Sequence, residues 1–146
     1  MLTFKGRVVV PGTVTAEALV SKNGFNTFAS FQKCLTFGDK EVLCADQNNA
    51  DLYKKPMYQK ALCLPHTIGS TAGGLALFCA VELGRQPSCL LFAEPIDSTA
   101  AAGAILTGVW SDNPLPVIDC LGDGFLATVK DGMKITVSMD GTVTAE

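Results

Sequence analysis

The chain has 146 residues, with 11 basic and 14 acidic side chains, one histidine and a formal net charge of -3. This length predicts a single domain over residues 1–146, and the lack of a basic face argues against a nucleic-acid partner. Hydrophobic residues make up 48% of the chain and charged residues only 17%, so we expect another protein to cover part of the apolar surface.

Both ends of the chain read as β-structure. Residues 6–20 contain two apolar runs separated by Pro11-Gly12, which predicts a strand, a turn and a second, shorter strand. The segment 23–51 has no clean hydrophobic period, and we interpret it as one irregular strand and a long loop. After Leu121, glycine-containing turns separate short alternating segments, with Asp123-Gly124 as a hairpin turn.

Two strand-to-helix units occupy the middle of the chain. A predicted strand over 60–64 leads through the loop PHTIGS to a helix over 71–83. A second strand over 88–94 precedes a helix with Asp97 at its N-cap, and PLPVID predicts a further strand. β-Structure around only two helices predicts an α/β fold of the β/β/α type, either a sandwich or a squat barrel. A doubly wound sheet would need more helices.

The hexapeptide GTVTAE occurs twice, at residues 12–17 and 141–146. A valine also stands four residues before each copy, but the similarity extends no further. We therefore interpret the copies as two similar turn-and-strand segments rather than as a structural repeat.

The cysteines and the N-terminus indicate where the protein resides. The start MLTFKGRVVVPG lacks the features of a signal peptide, and no apolar run reaches the roughly 18 residues of a membrane span. We therefore expect a cytoplasmic protein without a membrane partner. The cysteines form no C-x-x-C pair or Cys/His cluster, which predicts reduced, mostly buried thiols and no metal site on this chain. They are Cys34, Cys44, Cys63, Cys79, Cys89 and Cys120.

The loop before the first predicted helix carries the strongest functional signal. Ser70 stands where an N-cap residue belongs, and capping alone would explain it. Gly69 precedes it, and Gly73 and Gly74 fall in the first predicted turn, where each glycine costs roughly 1 kcal/mol relative to alanine. These glycines indicate that a ligand approaches the backbone closely, and a helix N-terminus with exposed amides suits an anion.

Two further residues are candidates for the same pocket. His66, the only histidine, precedes Ser70 by four residues and would either carry a proton or only shape the loop. Asp97 is explained by helix capping, but it would also form a wall of the pocket if the two helix starts lie side by side. Trp110 is interpreted as a core residue without a chemical role.

Two familiar motifs do not fit this loop. A serine-hydrolase elbow of the form GxSxG would need glycines at the positions of Ile68 and Ala72. A phosphate-binding loop would need a lysine after its last glycine, where this chain has Leu75.

Four segments of the chain together resemble the small, swivel-domain subunit of the aconitase X family. The resemblance is greatest to bacterial members that act as cis-3-hydroxy-L-proline dehydratases. Its specific parts are the Gly-Ser-Thr loop and the Asp-Ser helix start, in this order and spacing. The matching segments are GRVVVPGTVTAEALVS, LPHTIGSTAGG, PSCLLFAEPIDSTAAAGAILTGVW and DGFLATVKDGMKITV.

The resemblance implies a swivelling β/β/α domain that docks on a larger catalytic subunit in a heterodimer. It implies an iron–sulfur cluster bound by the cysteines of that large subunit, and Ser70 as the catalytic base of a hydro-lyase. A serine is a weak base, so the amides of residues 71–73, the helix dipole and cations from the partner would have to activate it. The residues expected to contact the substrate are His66, Gly69, Thr71, Gly73 and Asp97.

The expected substrate is a small hydroxy carboxylate. Family members that dehydrate mevalonate 5-phosphate tend to carry basic residues just before the serine, whereas this loop reads HTIGS. The loop favours cis-3-hydroxy-L-proline, dehydrated to 1-pyrroline-2-carboxylate, and mevalonate 5-phosphate stays an alternative because the partner could hold the phosphate. Two other classes stay open: a swivel domain that carries a phosphate on His66, and a non-catalytic assembly subunit.

Overall fold

Ten strands and four helices make up the chain in the computed structural model, which describes residues 1–146. The strands are β1 (Leu2–Lys5), β2 (Arg7–Val10), β3 (Val14–Val20), β4 (Phe25–Asn26), β5 (Ala61–Leu64), β6 (Thr67–Ile68), β7 (Cys89–Phe92), β8 (Val117–Asp119), β9 (Lys134–Val137) and β10 (Thr142–Ala145). The helices are α1 (Thr27–Phe37), α2 (Gly73–Glu82), α3 (Ser98–Trp110) and α4 (Asp123–Thr128).

Eight of the strands form one mixed sheet that closes almost into a barrel. Its order is β1-β10-β9-β3-β5-β7-β8-β2, and the central strands β3, β5, β7 and β8 are parallel. β1 and β2 lie at opposite ends of this order but are separated in the chain only by Gly6. The Gly6 amide donates to the carbonyl of Gly141 at 3.1 Å, and a Cβ at Gly6 would lie 2.5 Å from the carbonyl oxygen of Asp119. The structure therefore favours the barrel over the sandwich.

The core has two parts because the parallel strands are buried on both faces. On one face, Leu62 and Phe92 belong to the cluster that packs against helices α1, α2 and α3. On the other face, Cys63 and Leu91 line the inside of the barrel. Both β5 and β7 are fully buried along their length, as expected for parallel strands covered on two sides.

Helix α1 replaces the irregular strand predicted within residues 23–51, so that prediction is wrong. The side chain of Asn26 caps the helix, and Gly38 ends it with a φ of 69°. The exposed side chains of Phe28 and Phe37 obscured the helical period in the sequence. Its buried face is formed by Thr27, Ser30, Phe31 and Cys34.

Three other local predictions are corrected. The second N-terminal strand, β3, has seven residues against four in β2, so it is the longer one. Asp123-Gly124 begins the short helix α4 instead of forming a hairpin turn, because the aromatic ring of Phe125 packs into the barrel against Phe4 at 5.2 Å between ring centroids. The expected two helices are therefore four.

The two copies of GTVTAE form strands on either side of β9. Val14 in β3 and Val143 in β10 both pair with Val137, and the following residues pair in the same way with Thr136 and Ile135. Similar sequences thus meet the same requirement, which is to pair with the two edges of one strand.

All six cysteines are free thiols, and four of them are buried, as the sequence predicts. Burial raises the pKa of the Cys89 thiol to about 12, which keeps it protonated and unreactive. None of the helices has the length and apolar character required to cross a bilayer.

Candidate functional site

The predicted site residues lie at the carboxyl edge of the parallel strands. Two segments follow neighbouring strands there: residues 65–72 after β5, called the serine loop below, and residues 93–97 after β7, called the acidic loop. In open α/β sheets this edge is where ligands bind.

Ser70 closes a turn ahead of helix α2 and is not its N-cap. The helix begins at Gly73, two residues later than predicted, with Ala72 as an N-cap that makes no side-chain hydrogen bond. The Oγ of exposed Ser70 accepts a hydrogen bond from the Ala72 amide at 3.1 Å, and its carbonyl accepts one from Gly73 at 3.0 Å. The hydroxyl oxygen is thus held by the backbone but stays open to a ligand.

Three successive backbone amides precede the helix without a partner. The N–H groups of Gly69, Ser70 and Thr71 make no hydrogen bond within the chain. Together with the positive end of the α2 dipole, they are a local concentration of donors that suits an anionic group.

Two glycines of this region, Gly69 and Gly74, are required for packing. Gly69 has a φ of 99°, and a Cβ there would collide with the side chain of Asn26. A Cβ at Gly74 would collide with the carbonyl oxygen of Thr99, and a Cβ at Gly103 with the backbone of Gly74. Helices α2 and α3 therefore touch backbone to backbone. The prediction that Gly74 makes room for a ligand is therefore wrong, because helix α3 fills the space beside it.

Asp97 is the N-cap of helix α3, as predicted. Its side chain accepts a hydrogen bond from the Ala100 amide at 3.5 Å and another from the hydroxyl of Thr67. The second bond ties the serine loop to the start of α3, so the two helix starts do lie side by side.

An ion pair between the exposed side chain of Arg7 and the buried carboxylate of Asp119 supports the acidic loop. Arg7 contacts the carboxylate of Asp119 through Nε at 2.9 Å and Nη2 at 2.6 Å, and the Ile96 amide donates to the same carboxylate at 2.9 Å. Burial by itself raises the pKa of Asp119, but the hydrogen bonds from Arg7 and Ile96 outweigh it and hold that pKa below its ordinary value. Sequence reasoning missed this pair, whose members are far apart in the chain.

His66 contacts Glu94, which sequence reasoning also missed. The Nδ1 of His66 lies 2.7 Å from Oε2 of Glu94. Leu64 pairs with Phe92 in the parallel register, and each of the two polar residues follows its strand by two positions. Equal offsets after neighbouring parallel strands are the signal that could have predicted this contact. No hydrogen bond joins His66 to Ser70.

An apolar groove of about 380 Å³ runs between α2 and α3, beginning at Thr71 and Thr99 beside the serine loop. Trp110, interpreted from the sequence as a core residue, is 69% exposed, and its ring packs edge-on against Phe78 with the centroids 6.1 Å apart. Leu75 is 67% exposed on the same face. Large exposed apolar side chains are typical of a surface that another protein covers.

The residues of this chain do not fit an iron–sulfur cluster. No group of three or more His, Cys, Asp or Glu side chains is close enough to hold a metal ion. The one exposed cysteine, Cys120, lies beside Asp119 without a second thiol.

Comparison with known proteins supplies a family. Residues 3–145 match the family model of the aconitase X swivel domain. The phosphomevalonate dehydratase small subunit of Methanocella arvoryzae is 32% identical over 143 residues, which cover 97% of this chain and 95% of the relative. The corresponding subunit of Aeropyrum pernix is 32% identical over 61% of this chain and 62% of its own length. That of Methanosarcina acetivorans is 26% identical over 94% and 85%.

Two solved structures have the same fold. The aconitase X of Thermococcus kodakaraensis, in its holo-form, superposes with a TM-score of 0.81 at 24% identity, covering 100% of this chain and 99% of that one. The solution structure of a UPF0107 protein gives a TM-score of 0.78 at 21% identity, covering 99% of both chains. The predicted swivel fold is confirmed.

Proposed function

Because the chain belongs to the aconitase X swivel domain family, we propose that it is the small subunit of a hydro-lyase that dehydrates a hydroxy carboxylate. The full-length relative from Methanocella arvoryzae is a dehydratase small subunit. The name implies a larger partner, and the exposed apolar face of α2 and α3 is consistent with one.

The observation that carries the proposal is the exposed hydroxyl of Ser70 among unpaired amides. As an alkoxide, Ser70 would take a proton from the carbon next to the substrate carboxylate, while the C–O bond breaks, hydroxide leaves and a double bond forms. The hydrogen bond from the Ala72 amide strengthens when Oγ carries a negative charge. The α2 dipole favours the same charge.

The other predicted substrate contacts divide into two kinds. The free amides of Gly69 and Thr71 are available to an anionic group of the substrate, and His66 offers its second ring nitrogen. Gly73 is buried and its amide is bonded to Ser70, so its contribution is the close approach of its backbone. Asp97 already binds the Thr67 hydroxyl and the Ala100 amide, so its contribution is to hold the wall of the pocket.

The large subunit would supply what this chain lacks. We place the iron–sulfur cluster there, with the groups that hold the departing hydroxide, because no residues here fit a cluster. The serine loop of this chain would contribute the hydroxyl of Ser70 and the free amides of residues 69–71 to the shared site.

Two substrates are candidates, each favoured by a different observation. Mevalonate 5-phosphate is favoured by the named relatives, all of which are phosphomevalonate dehydratase small subunits. cis-3-Hydroxy-L-proline is favoured by the charges of the site: the serine loop contains no lysine or arginine, and the acidic loop adds Glu94 and Asp97. A phosphate would meet no free cation on these two loops.

The test is to combine the chain with a large aconitase X type subunit of the same organism and to follow both substrates by NMR. We expect the complex, but neither chain alone, to dehydrate one of them. An assembled complex that dehydrates neither substrate contradicts the proposal and favours an assembly role. Phosphate transferred to His66 from phosphoenolpyruvate would instead support the phosphohistidine alternative.

A further inference from the structure

We propose that Glu94 is a positioning residue that holds the imidazole of His66 with its proton on Nδ1 and leaves Nε2 free to accept a hydrogen bond from the substrate. The part that concerns the substrate rests on the proposed function. The part that concerns the imidazole stands on the geometry of this chain alone.

The main chain places both residues before their side chains meet. The carbonyl of His66 accepts a hydrogen bond from the Phe25 amide at 2.9 Å. The amide of Glu94 donates to the carbonyl of Pro65 at 3.0 Å, and its carbonyl accepts from Cys120 at 3.3 Å. The contact between His66 and Glu94 therefore follows from the parallel register of strands β5, β7 and β8, which these segments continue.

The contact between His66 and Glu94 adds little to the stability of the fold, but it determines how the imidazole is oriented and protonated. The His66 and Glu94 side chains are 45% and 53% exposed, and even with a protonated ring an exposed ion pair contributes only about 0–1 kcal/mol to folding. A carboxylate can only accept hydrogen bonds, so the nitrogen 2.7 Å from it must carry the proton. In the neutral ring, this leaves Nε2 as an acceptor.

Nε2 of His66 lies beside Gly24, and the lack of a side chain at this glycine keeps the imidazole from being crowded. A Cβ at Gly24 would lie 2.7 Å from Cγ2 of Ile68 and 3.1 Å from Nε2 of His66, closer than a methyl group normally approaches. Nε2 makes no hydrogen bond within the chain. A ligand that carries a hydroxyl or ammonium hydrogen would complete it, and both substrate candidates are hydroxy acids.

The tautomer can be measured directly, because the chain has a single histidine. In the full chain labelled with ¹⁵N-histidine, at a pH where the ¹⁵N shifts report a neutral ring, we expect the proton on Nδ1. Glu94→Leu should move the proton to Nε2, while the backbone amide spectrum shows that the variant is folded. Glu17→Leu is the matched control, since Glu17 forms a comparable pair with Lys60 at 2.8 Å, and it should leave the imidazole unchanged.

Kinetics of the complex test the link to the substrate. We expect Glu94→Leu and His66→Ala each to raise KM roughly tenfold with a smaller change in kcat, and the double variant to add nothing further. Glu94→Gln keeps an acceptor oxygen and should recover part of the loss.

Two results would overturn the proposal. One is a wild-type imidazole with its proton on Nε2, or one that does not respond to Glu94→Leu. The other is additive effects of the two single variants on KM, which would mean that they act separately. A complex inactive on both substrates would refute the proposed function instead, and the NMR result would still decide the role of Glu94.

Discussion

Helices α2 and α3 begin at the same edge of the barrel, but their first turns are completed in opposite ways. Asp97 caps α3 and also binds Thr67, so its polar atoms are used within the chain. Ala72 at the start of α2 has no capping side chain, and the amides of residues 69–71 have no partner. A capped start stabilises the scaffold, whereas an uncapped start costs stability and leaves donors for a ligand.

The largest effect on activity should come from Ser70, in comparison with Ser98 at the other helix start. Ser70→Ala removes the proposed base and should lower turnover of the complex by roughly 10²–10⁴-fold, with assembly unchanged. Ser98→Ala, at the first residue of α3, is the matched control and should retain activity. Near-normal turnover of the Ser70 variant would exclude the base role, and the comparison between the two starts would then be only structural.

The backbone contact between the helices should dominate stability. Gly103→Ala places a methyl group against the backbone of Gly74, and overpacking of this kind costs typically about 1–3 kcal/mol. Gly108→Ala on the same helix is the control, because its Cβ would lie 3.7 Å from the nearest atom, in Val10. In urea unfolding, the midpoint of Gly103→Ala should lie below that of the wild type, whereas the midpoint of Gly108→Ala should not. Equal midpoints would mean that the helices can separate freely.

Removing the cap of α3 should have a moderate effect. Asp97→Ala loses the bonds to Ala100 and Thr67, and loss of an N-cap costs about 1 kcal/mol. Asp97→Asn keeps an acceptor for the helix and should recover most of that stability. If thermal unfolding shows both variants equal to the wild type, the cap does not support the serine loop.

The smallest effect concerns acid stability. Because the folded pKa of Asp119 is lowered, its contribution to stability is present above the unfolded value of about 3.9 and is lost as the pH falls through the folded value. Asp119→Asn should therefore flatten the dependence of the urea midpoint on pH below about 4. Asp140→Asn, which removes a pair with exposed Lys5, should change that dependence less because solvent screens the pair. A variant of Asp119 that unfolds in acid like the wild type would contradict this assignment.

Local signals predicted the elements whose causes lie within a few residues. Asp97 caps helix α3 by accepting from an amide three residues ahead, and the apolar runs 60–64 and 88–94 contain the strands β5 and β7. Helix α1 shows the limit of this reasoning. Asn26 and Gly38 marked its ends, but the exposed Phe28 and Phe37 disguised a period that only the burial pattern reveals.

The site could be predicted only in part, because some of its contacts are local in the sequence and others are not. Ser70 was identified by its loop, although its hydrogen bond closes a turn instead of capping the helix. The glycines around it are conspicuous in the sequence, but their packing partners, Asn26 and Gly103, lie in other elements. The sequence predicts Trp110 in the core, although its side chain is exposed, because a sequence does not show which apolar side chains remain uncovered.

By itself, the sequence determined the strand-to-helix order, the cap at Asp97 and the position of the serine loop, because short-range hydrogen bonding and hydrophobic period govern them. Only the tertiary structure decided that His66 meets Glu94, that Gly74 meets Gly103 and that Arg7 meets Asp119. These contacts join residues 28 and 112 positions apart in two of the three cases. They depend on the register of parallel strands and on the closure of the barrel, which no local pattern encodes.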